Sequence, residues 1–184
     1  MSLTPLRCTF ADMEKLWSPW RSHFIETHGE VPADFSPFRK AWESPSEDAA
    51  NMVLYRGLLA FIILNKYPYN AGHLLVVPVR QIGDFGALDE AERHEMIDLV
   101  AFGTAVLKEA LKPHGFNVGM NLGRTAGAAI ENHVHMHIVP RWNGDANFMP
   151  TLSETRVVSQ EMKDVYERLI IARDKLLNET RRGE

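Results

Sequence analysis

The chain has 184 residues, of which 45% are hydrophobic, and its formal net charge at pH 7 is −4. This length and composition suit one globular domain with a sizeable core, and the acidic balance argues against nucleic-acid binding. The one cysteine, Cys8, excludes an internal disulfide and any metal site built from several cysteines. No apolar run reaches membrane-spanning length and the first residues lack a signal-peptide profile, so we expect no membrane association and a cytoplasmic location.

The first fifty residues combine one short helix pattern with a polar stretch. Thr9 is followed three residues later by Asp12, which predicts a capped helix running to about Trp17. Residues 28–51 are polar and contain three prolines. We interpret 28–51 as a long loop or lid and not as a linker, because neither flank could fold alone.

Short apolar segments separated by turns follow, and they alternate with two helical patterns. Strands joined by short turns and interrupted by one long helix indicate an α+β domain with a mainly antiparallel sheet. A helix is predicted from Asp89 to about Lys112, with Ile97 and Val100 on its apolar stripe, and an amphipathic helix from Gln160 to Leu177. The predicted strands are Met52 to Tyr55, Leu58 to Leu64, His73 to Pro78, Phe116 to Asn121 and His133 to Pro140.

Three histidines alternate with apolar residues in the last of these strands. If the segment is extended, then His133, His135 and His137 lie on one face of it. Four interpretations are open: a solvent-facing strand surface, a metal site, a catalytic row with one imidazole as nucleophile, and a binding pocket without turnover. A metal site is disfavoured because three histidines in a line converge poorly on one ion and no acidic cluster adjoins them.

A small-residue loop precedes the histidine strand. It runs from Asn121 to Ala129 and includes Gly123 and Gly127. Small residues let backbone N–H groups approach a phosphate, although a plain tight turn has the same composition. The position of the loop beside the histidines favours a phosphate contact.

The pattern His133-Val134-His135-Met136-His137-Ile138-Val139 resembles the signature of the histidine triad family, with every position filled. Residues 65–73 and 121–127 are similar to the nucleotide-pocket and phosphate segments of that family. The resemblance covers roughly 52–150 and implies a single domain over 1–184, with a five-stranded sheet, an N-terminal part (1–51) and a C-terminal extension (151–184).

Two flanking motifs narrow the resemblance. Residues 16–21 and 140–150 are similar to bacterial members that act as diadenosine tetraphosphate phosphorylases. Members of this branch often carry a zinc-binding Cys-x-x-Cys pair, but Ser36 and Arg39 stand in that context here, and Gln81 stands where zinc-binding relatives often have histidine. We therefore expect no metal and no other cofactor.

The resemblance implies a role for each site residue. His135 would attack the α-phosphorus of a nucleotide, His137 would donate to phosphate oxygens, His133 would hold the neighbouring ring, and His73 would orient the row. The substrate-binding residues implied are Asn65, Asn121, Gly127, Ala128 and Trp142, although Trp142 also fits simple core packing.

The resemblance also implies partners. The substrate would be a nucleotide or dinucleoside polyphosphate together with inorganic phosphate, and the protein would be a homodimer or tetramer. We expect the reaction to be phosphorolysis, and hydrolysis is the second choice. A nucleotide-binding sensor with little turnover, or a hydrolase of other nucleotide conjugates, is the alternative.

Overall fold

The structure is a computed structural model, and it describes residues 35–145 and 161–183. Within these residues five strands form one antiparallel sheet in the order β1-β2-β3-β5-β4. This arrangement confirms the predicted α+β fold. The strands are β1 (Val53–Arg56), β2 (Ala60–Leu64), β3 (Leu74–Pro78), β4 (Gly115–Met120) and β5 (Met136–Arg141). The helices are α1 (Pro37–Glu43), α2 (Asp48–Asn51), α3 (Glu90–Leu111) and α4 (Met162–Gly183).

Two long helices form one core cluster with the sheet. Helix α3 begins with a capping box in which the Asp89 and Glu92 side chains each accept a backbone N–H of the other residue. At Gly103 the helix lies so near the sheet that a Cβ atom would be 2.9 Å from Cδ1 of Ile138. A larger residue there would require the end of the Ile138 side chain to shift. The buried side chains of this first core cluster include Leu54, Ile62, Leu74, Val76, Leu107, Ile138 and Leu169.

The alternate residues of the same strands form a second, smaller core cluster. Phe61, Ile63, Leu75 and Val77 project from β2 and β3 into this cluster, as expected for the period of two along a strand. Helix α1 packs against them through Phe38 and Ala41. Strands β2 and β3 are therefore buried on both faces, which explains their unbroken apolar sequences.

The prediction of a long loop over 28–51 is wrong for the part that the structure describes. Residues 37–51 form α1, a 3₁₀ turn (Pro45–Glu47) and α2. Pro37 occupies the first turn of α1, and Pro45 occupies the first position of the 3₁₀ turn. Proline is tolerated there because its missing N–H has no partner inside the helix. Residues 28–34 and the predicted helix from Thr9 lie outside the described residues.

Two further sequence expectations need correction. Strand β5 begins at Met136, three residues later than predicted, because the backbone N–H of Val134 bonds to the carbonyl of Ile82, a residue outside the strands. Ile97 is 56% exposed, since the buried stripe of α3 includes Met96, Leu99 and Gly103. The amphipathic pattern predicted for α4 agrees with the burial of Val165, Tyr166 and Leu169. Among the described residues, no helix combines the length and apolar character needed to cross a membrane.

Candidate active site

The histidines gather on the face of the sheet that carries the second core cluster. His137 lies in β5 directly opposite Leu75 of β3, so both side chains project from that face. The ring centroid of His137 is 5.0 Å from that of His135 and 5.1 Å from that of His73. The structure therefore brings together the predicted row and His73, whose backbone lies just before β3.

His133 is fully buried and serves the site from inside the core. Its Nε2 lies 2.8 Å from the carbonyl oxygen of Pro78, which can only accept, so Nε2 carries the proton. Its Nδ1 then accepts a hydrogen bond from the hydroxyl of Ser36 at 2.7 Å. Burial lowers the pKa of His133 to about 4, opposed in part by the Pro78 hydrogen bond, and this ring is neutral at pH 7.

His135 is held by the backbone of the same segment. Its Nδ1 lies 2.9 Å from the carbonyl oxygen of His133, so Nδ1 is the donor and the lone pair of the neutral ring is on Nε2. Only 7% of the residue is exposed. Burial lowers the pKa of His135, with the backbone hydrogen bond acting in the opposite direction. A neutral imidazole with a fixed lone pair is a competent nucleophile.

Asn65 fixes the protonation of His73. The Oδ1 atom of Asn65 accepts the backbone N–H of Tyr67, which leaves its amino group facing Nδ1 of His73 at 3.2 Å. The backbone N–H of Tyr69 donates to the same ring nitrogen at 3.0 Å. With two donors directed at Nδ1, the proton of neutral His73 is on Nε2.

His73 in turn determines which ring nitrogen of His137 carries the proton. Nε2 of His73 lies 2.9 Å from Nδ1 of His137, so His73 donates and the proton of His137 is on its own Nε2. The Nδ2 amino group of Asn121, itself a donor, lies 3.4 Å from that Nε2, so this contact is not a hydrogen bond in this tautomer. The ring of His137, with its N–H on Nε2, lies beside the ring of His135, with the two centroids 5.0 Å apart. A donor next to a nucleophile is an arrangement that suits phosphoryl transfer.

The loop after β4 is closed by its own hydrogen bonds. Gly127 has a positive φ of 93° and ends a 3₁₀ turn (Arg124–Ala126). Its backbone N–H donates to the carbonyl of Arg124, and that of Ala128 donates to the carbonyl of Gly123. In this structure both N–H groups are engaged within the loop, and the phosphate contact expected of these two residues remains a prediction.

Trp142 is separated from the histidines. Its side chain is half-buried and packs against the first core cluster, whereas the histidines lie on the face of the second. This position fits the core packing that the sequence left open for Trp142, and the substrate contact implied by the resemblance remains a prediction. Residues 146–150, the rest of that motif, lie outside the described part of the chain.

Three residues of this site were missed from the sequence. Ser36 contacts His133, Phe38 contacts the rings of both His133 and His135, and the ring of Tyr69 is stacked on His137 at 5.8 Å. Tyr69 falls in the segment that resembles the nucleotide pocket, which was a usable signal. Nothing in the sequence signals the long-range contacts of Ser36 and Phe38.

The residues at the positions expected for zinc do not fit a zinc ion. The Ser36 hydroxyl donates to His133, and the Arg39 guanidinium is cationic and pairs with Glu43 at 2.8 Å. Within the described residues, no group of three or more His, Cys, Asp or Glu side chains is arranged to hold a metal ion.

An antiparallel five-stranded sheet with a histidine row at one face defines the histidine triad class of proteins, and comparisons with known proteins agree. The HIT domain family model matches residues 46–144, and this chain belongs to that family. A relative named AP-4-A phosphorylase, from Mycobacterium tuberculosis, is 38% identical over 159 residues, which cover 83% of this chain and 80% of the relative.

Two more distant relatives extend the comparison. A bis(5'-nucleosyl)-tetraphosphatase (asymmetrical) from Schizosaccharomyces pombe is 29% identical over 113 residues, or 61% of this chain and 58% of that protein. The crystal structure of a Zn-bound histidine triad family protein from Mycobacterium smegmatis has a TM-score of 0.63 and 23% identity, covering 79% of this chain and 98% of that one. This last likeness supports the fold.

Proposed function

We propose that the protein is an enzyme that cleaves dinucleoside polyphosphates through a nucleotidyl-histidine intermediate on His135. The observation that carries the proposal is the hydrogen bond from Nδ1 of His135 to the carbonyl of His133. It leaves the lone pair on Nε2 of a neutral, buried ring, beside the N–H of His137. The names of the M. tuberculosis and S. pombe relatives support dinucleoside polyphosphates as the substrate class.

The first chemical step joins the enzyme to the nucleotide. Nε2 of His135 attacks the α-phosphorus of diadenosine tetraphosphate and forms an N–P bond. The bridging P–O bond breaks, its electron pair goes to the bridging oxygen, and ATP leaves. The ring gains a positive charge, which the carbonyl of His133 stabilises through the Nδ1–H bond.

His137 acts on the negative charge of the phosphate. Its Nε2–H donates to a non-bridging oxygen of the α-phosphate, on the side of the ring where the Asn121 amino group also lies. His73 and Asn65 keep that proton on Nε2, so no reorganisation is needed as charge develops. Phosphoryl transfer depends mainly on such positioning and charge stabilisation.

The acceptor in the second step decides the product. Attack by inorganic phosphate on the nucleotidyl-histidine gives ADP, and attack by water gives AMP; either restores the lone pair of His135. Phosphorolysis is the first choice because the M. tuberculosis relative is named a phosphorylase, and hydrolysis is second because the S. pombe relative is named a tetraphosphatase.

The intermediate itself provides the test. Wild-type protein mixed with diadenosine tetraphosphate in the absence of phosphate and quenched within milliseconds should carry a covalent AMP, detected by intact-protein mass spectrometry. His135→Asn should carry none, whereas His94→Asn, a change of an exposed histidine on α3, should label like wild type. Nucleotide binding by wild type without any adduct or product would favour the sensor alternative.

We also propose that the enzyme is a homodimer. In the described part of the chain β4 is an outer strand of the sheet, and Val118 on it and Leu122 just after it are 48% and 49% exposed. An unpaired edge with exposed apolar side chains favours pairing with a second copy. Light scattering should give twice or four times the chain mass, and Val118→Lys should lower it; a monomeric wild type would remove the proposal.

A further inference from the structure

Ser36 immediately precedes α1 and is buried, with only 3% of its surface exposed. A serine at this position commonly caps the helix with its side chain, yet Ser36 makes no such bond. Its hydroxyl lies instead 2.7 Å from Nδ1 of His133, 97 residues away in sequence. The hydroxyl is therefore committed to the histidine segment.

The direction of this hydrogen bond is determined by the other side of the ring. Because Nε2 of His133 donates to the Pro78 carbonyl, Nδ1 is an acceptor and Ser36 must be the donor. Both residues are buried. The two hydrogen bonds hold the His133 ring at both nitrogens.

We propose that Ser36 is a positioning residue for the nucleophile: its hydroxyl fixes His133, and the carbonyl of His133 in turn holds His135 with its lone pair on Nε2. The inference rests on the role of His135 in the proposed function. The coupling runs through one residue, because the ring that Ser36 contacts and the carbonyl that His135 contacts both belong to His133.

Phe38, two residues later, supports the same pair of rings. Its ring centroid is 5.6 Å from that of His133, edge to face, and 5.1 Å from that of His135. With 6% exposure it excludes water from the side of the nucleophile that it contacts. The start of α1 thus holds the histidine segment by one hydrogen bond and one aromatic contact.

The far end of α1 is fixed to the sheet. The Arg56 guanidinium in β1 donates to the carbonyls of Ala41 and Trp42 at the end of the helix, each at 2.8 Å. It also pairs with Asp48 of α2. Ser36 is therefore presented by an anchored element, which is what a positioning residue requires.

The test compares Ser36→Ala with Ser36→Thr, which keeps the hydroxyl, and with Ser46→Ala, the same change at an exposed serine of the segment. Ser36→Ala should lower kcat about 10- to 100-fold with little change in KM, since a misplaced reacting group costs rate. Ser36→Thr should recover most of the loss, and Ser46→Ala should match wild type. ¹⁵N NMR of the imidazoles is the second readout: the two ring-nitrogen shifts of His135 should be well separated in wild type and converge in Ser36→Ala as its tautomers mix.

The inference is overturned if Ser36→Ala keeps both kcat and the separated His135 shifts. It is also overturned if activity falls equally in the Ala and Thr variants while the shifts stay separated, because the effect is then one of packing. If wild type is inactive on dinucleoside polyphosphates, the proposed function fails, but the NMR comparison still decides the role of Ser36.

Discussion

At the scale of single residues, hydrogen bonds determine which ring nitrogen carries the proton in each of the four histidines. His133 and His73 carry the proton on Nε2 and make internal bonds, His135 carries it on Nδ1 and exposes a lone pair on Nε2, and His137 presents an Nε2–H. Burial lowers the pKa values of His133 and His135, so these two rings are neutral at pH 7 and do not repel each other. The division between nucleophile and donor follows from the backbone carbonyls and amides that the rings contact.

Asn65 offers the sharpest test of this order. Asn65→Asp keeps the shape but replaces the amino donor with a carboxylate acceptor facing Nδ1 of His73. The proton of His73 would move to Nδ1, and His137 would then lose its Nε2–H. We expect Asn65→Asp to lower kcat/KM more than Asn65→Ala, which removes one donor but leaves the Tyr69 N–H in place.

Steady-state kinetics of both Asn65 variants, with diadenosine tetraphosphate and phosphate at saturation, provide the measurement. Equal losses in the two variants, or a smaller loss for Asp, would mean that Asn65 acts through shape or by contacting the substrate and not through the proton on His73.

At the scale of elements, Arg56 links the segment 37–51 to the sheet, in addition to the packing of Phe38 and Ala41. Arg56 satisfies two carbonyls of α1, pairs with Asp48, and lies 4.7 Å from the centroid of the Trp42 ring. Arg56→Met should lower the free energy of unfolding by about 1–3 kcal/mol, because buried carbonyls lose their donors. Arg39→Met is the matched control, since its pair with Glu43 is 59% exposed on both sides and should contribute within about 0.5 kcal/mol.

Urea unfolding of the two arginine variants gives both values from their midpoints. A loss in Arg39→Met as large as that in Arg56→Met would contradict the anchoring role of Arg56.

The sheet and the long helices could be predicted from the sequence, but the helices of the segment before them, residues 37–51, could not. Alternating and continuous apolar runs set β2, β3 and α4 because burial of those side chains dominates their folding. The polar segment 37–51 lies within the predicted loop of residues 28–51, yet it forms short helices that gain their stability from contacts of Arg56, Phe38 and Trp42 that no local pattern reveals. Strand β5 begins later than the pattern predicts because the backbone of Val134 bonds outside the sheet.

The same division applies to the candidate site. The spacing of His133, His135 and His137 and the family resemblance predicted which side chains would meet, and His73 joined them as expected. The protonation of each ring could not be predicted, because it depends on contacts with Ser36, Pro78 and Tyr69 across the fold. The packing of Trp142 against the first core cluster likewise depends on contacts across the fold that its local sequence does not reveal.

At the scale of the whole molecule, the buried histidines couple stability to pH. The pKa of His133 is about 4 in the folded protein, against an ordinary value of 6.5, because burial disfavours its charged form. As the pH falls, the unfolded chain therefore protonates His133 before the folded protein does. The contribution of neutral His133 to the free energy of unfolding is complete above about pH 6.5 and is lost as the pH falls toward about 4. It amounts to at most about 3 kcal/mol.

Urea midpoints at pH 7 and at pH 4.5 test this coupling. Wild type should be clearly less stable at the lower pH, and the difference should shrink in His133→Gln, whose side chain does not titrate. The same pH dependence in both proteins would show that other groups are responsible.

The central claim, a nucleotidyl-histidine enzyme for dinucleoside polyphosphates, is tested most directly by its products. Diadenosine tetraphosphate is incubated with and without inorganic phosphate, using wild type and His135→Ala, and the nucleotides are separated by chromatography. We expect ADP and ATP from wild type only when phosphate is present, and no product from His135→Ala. AMP and ATP regardless of phosphate would make the protein a hydrolase, and equal turnover by wild type and His135→Ala would contradict the account.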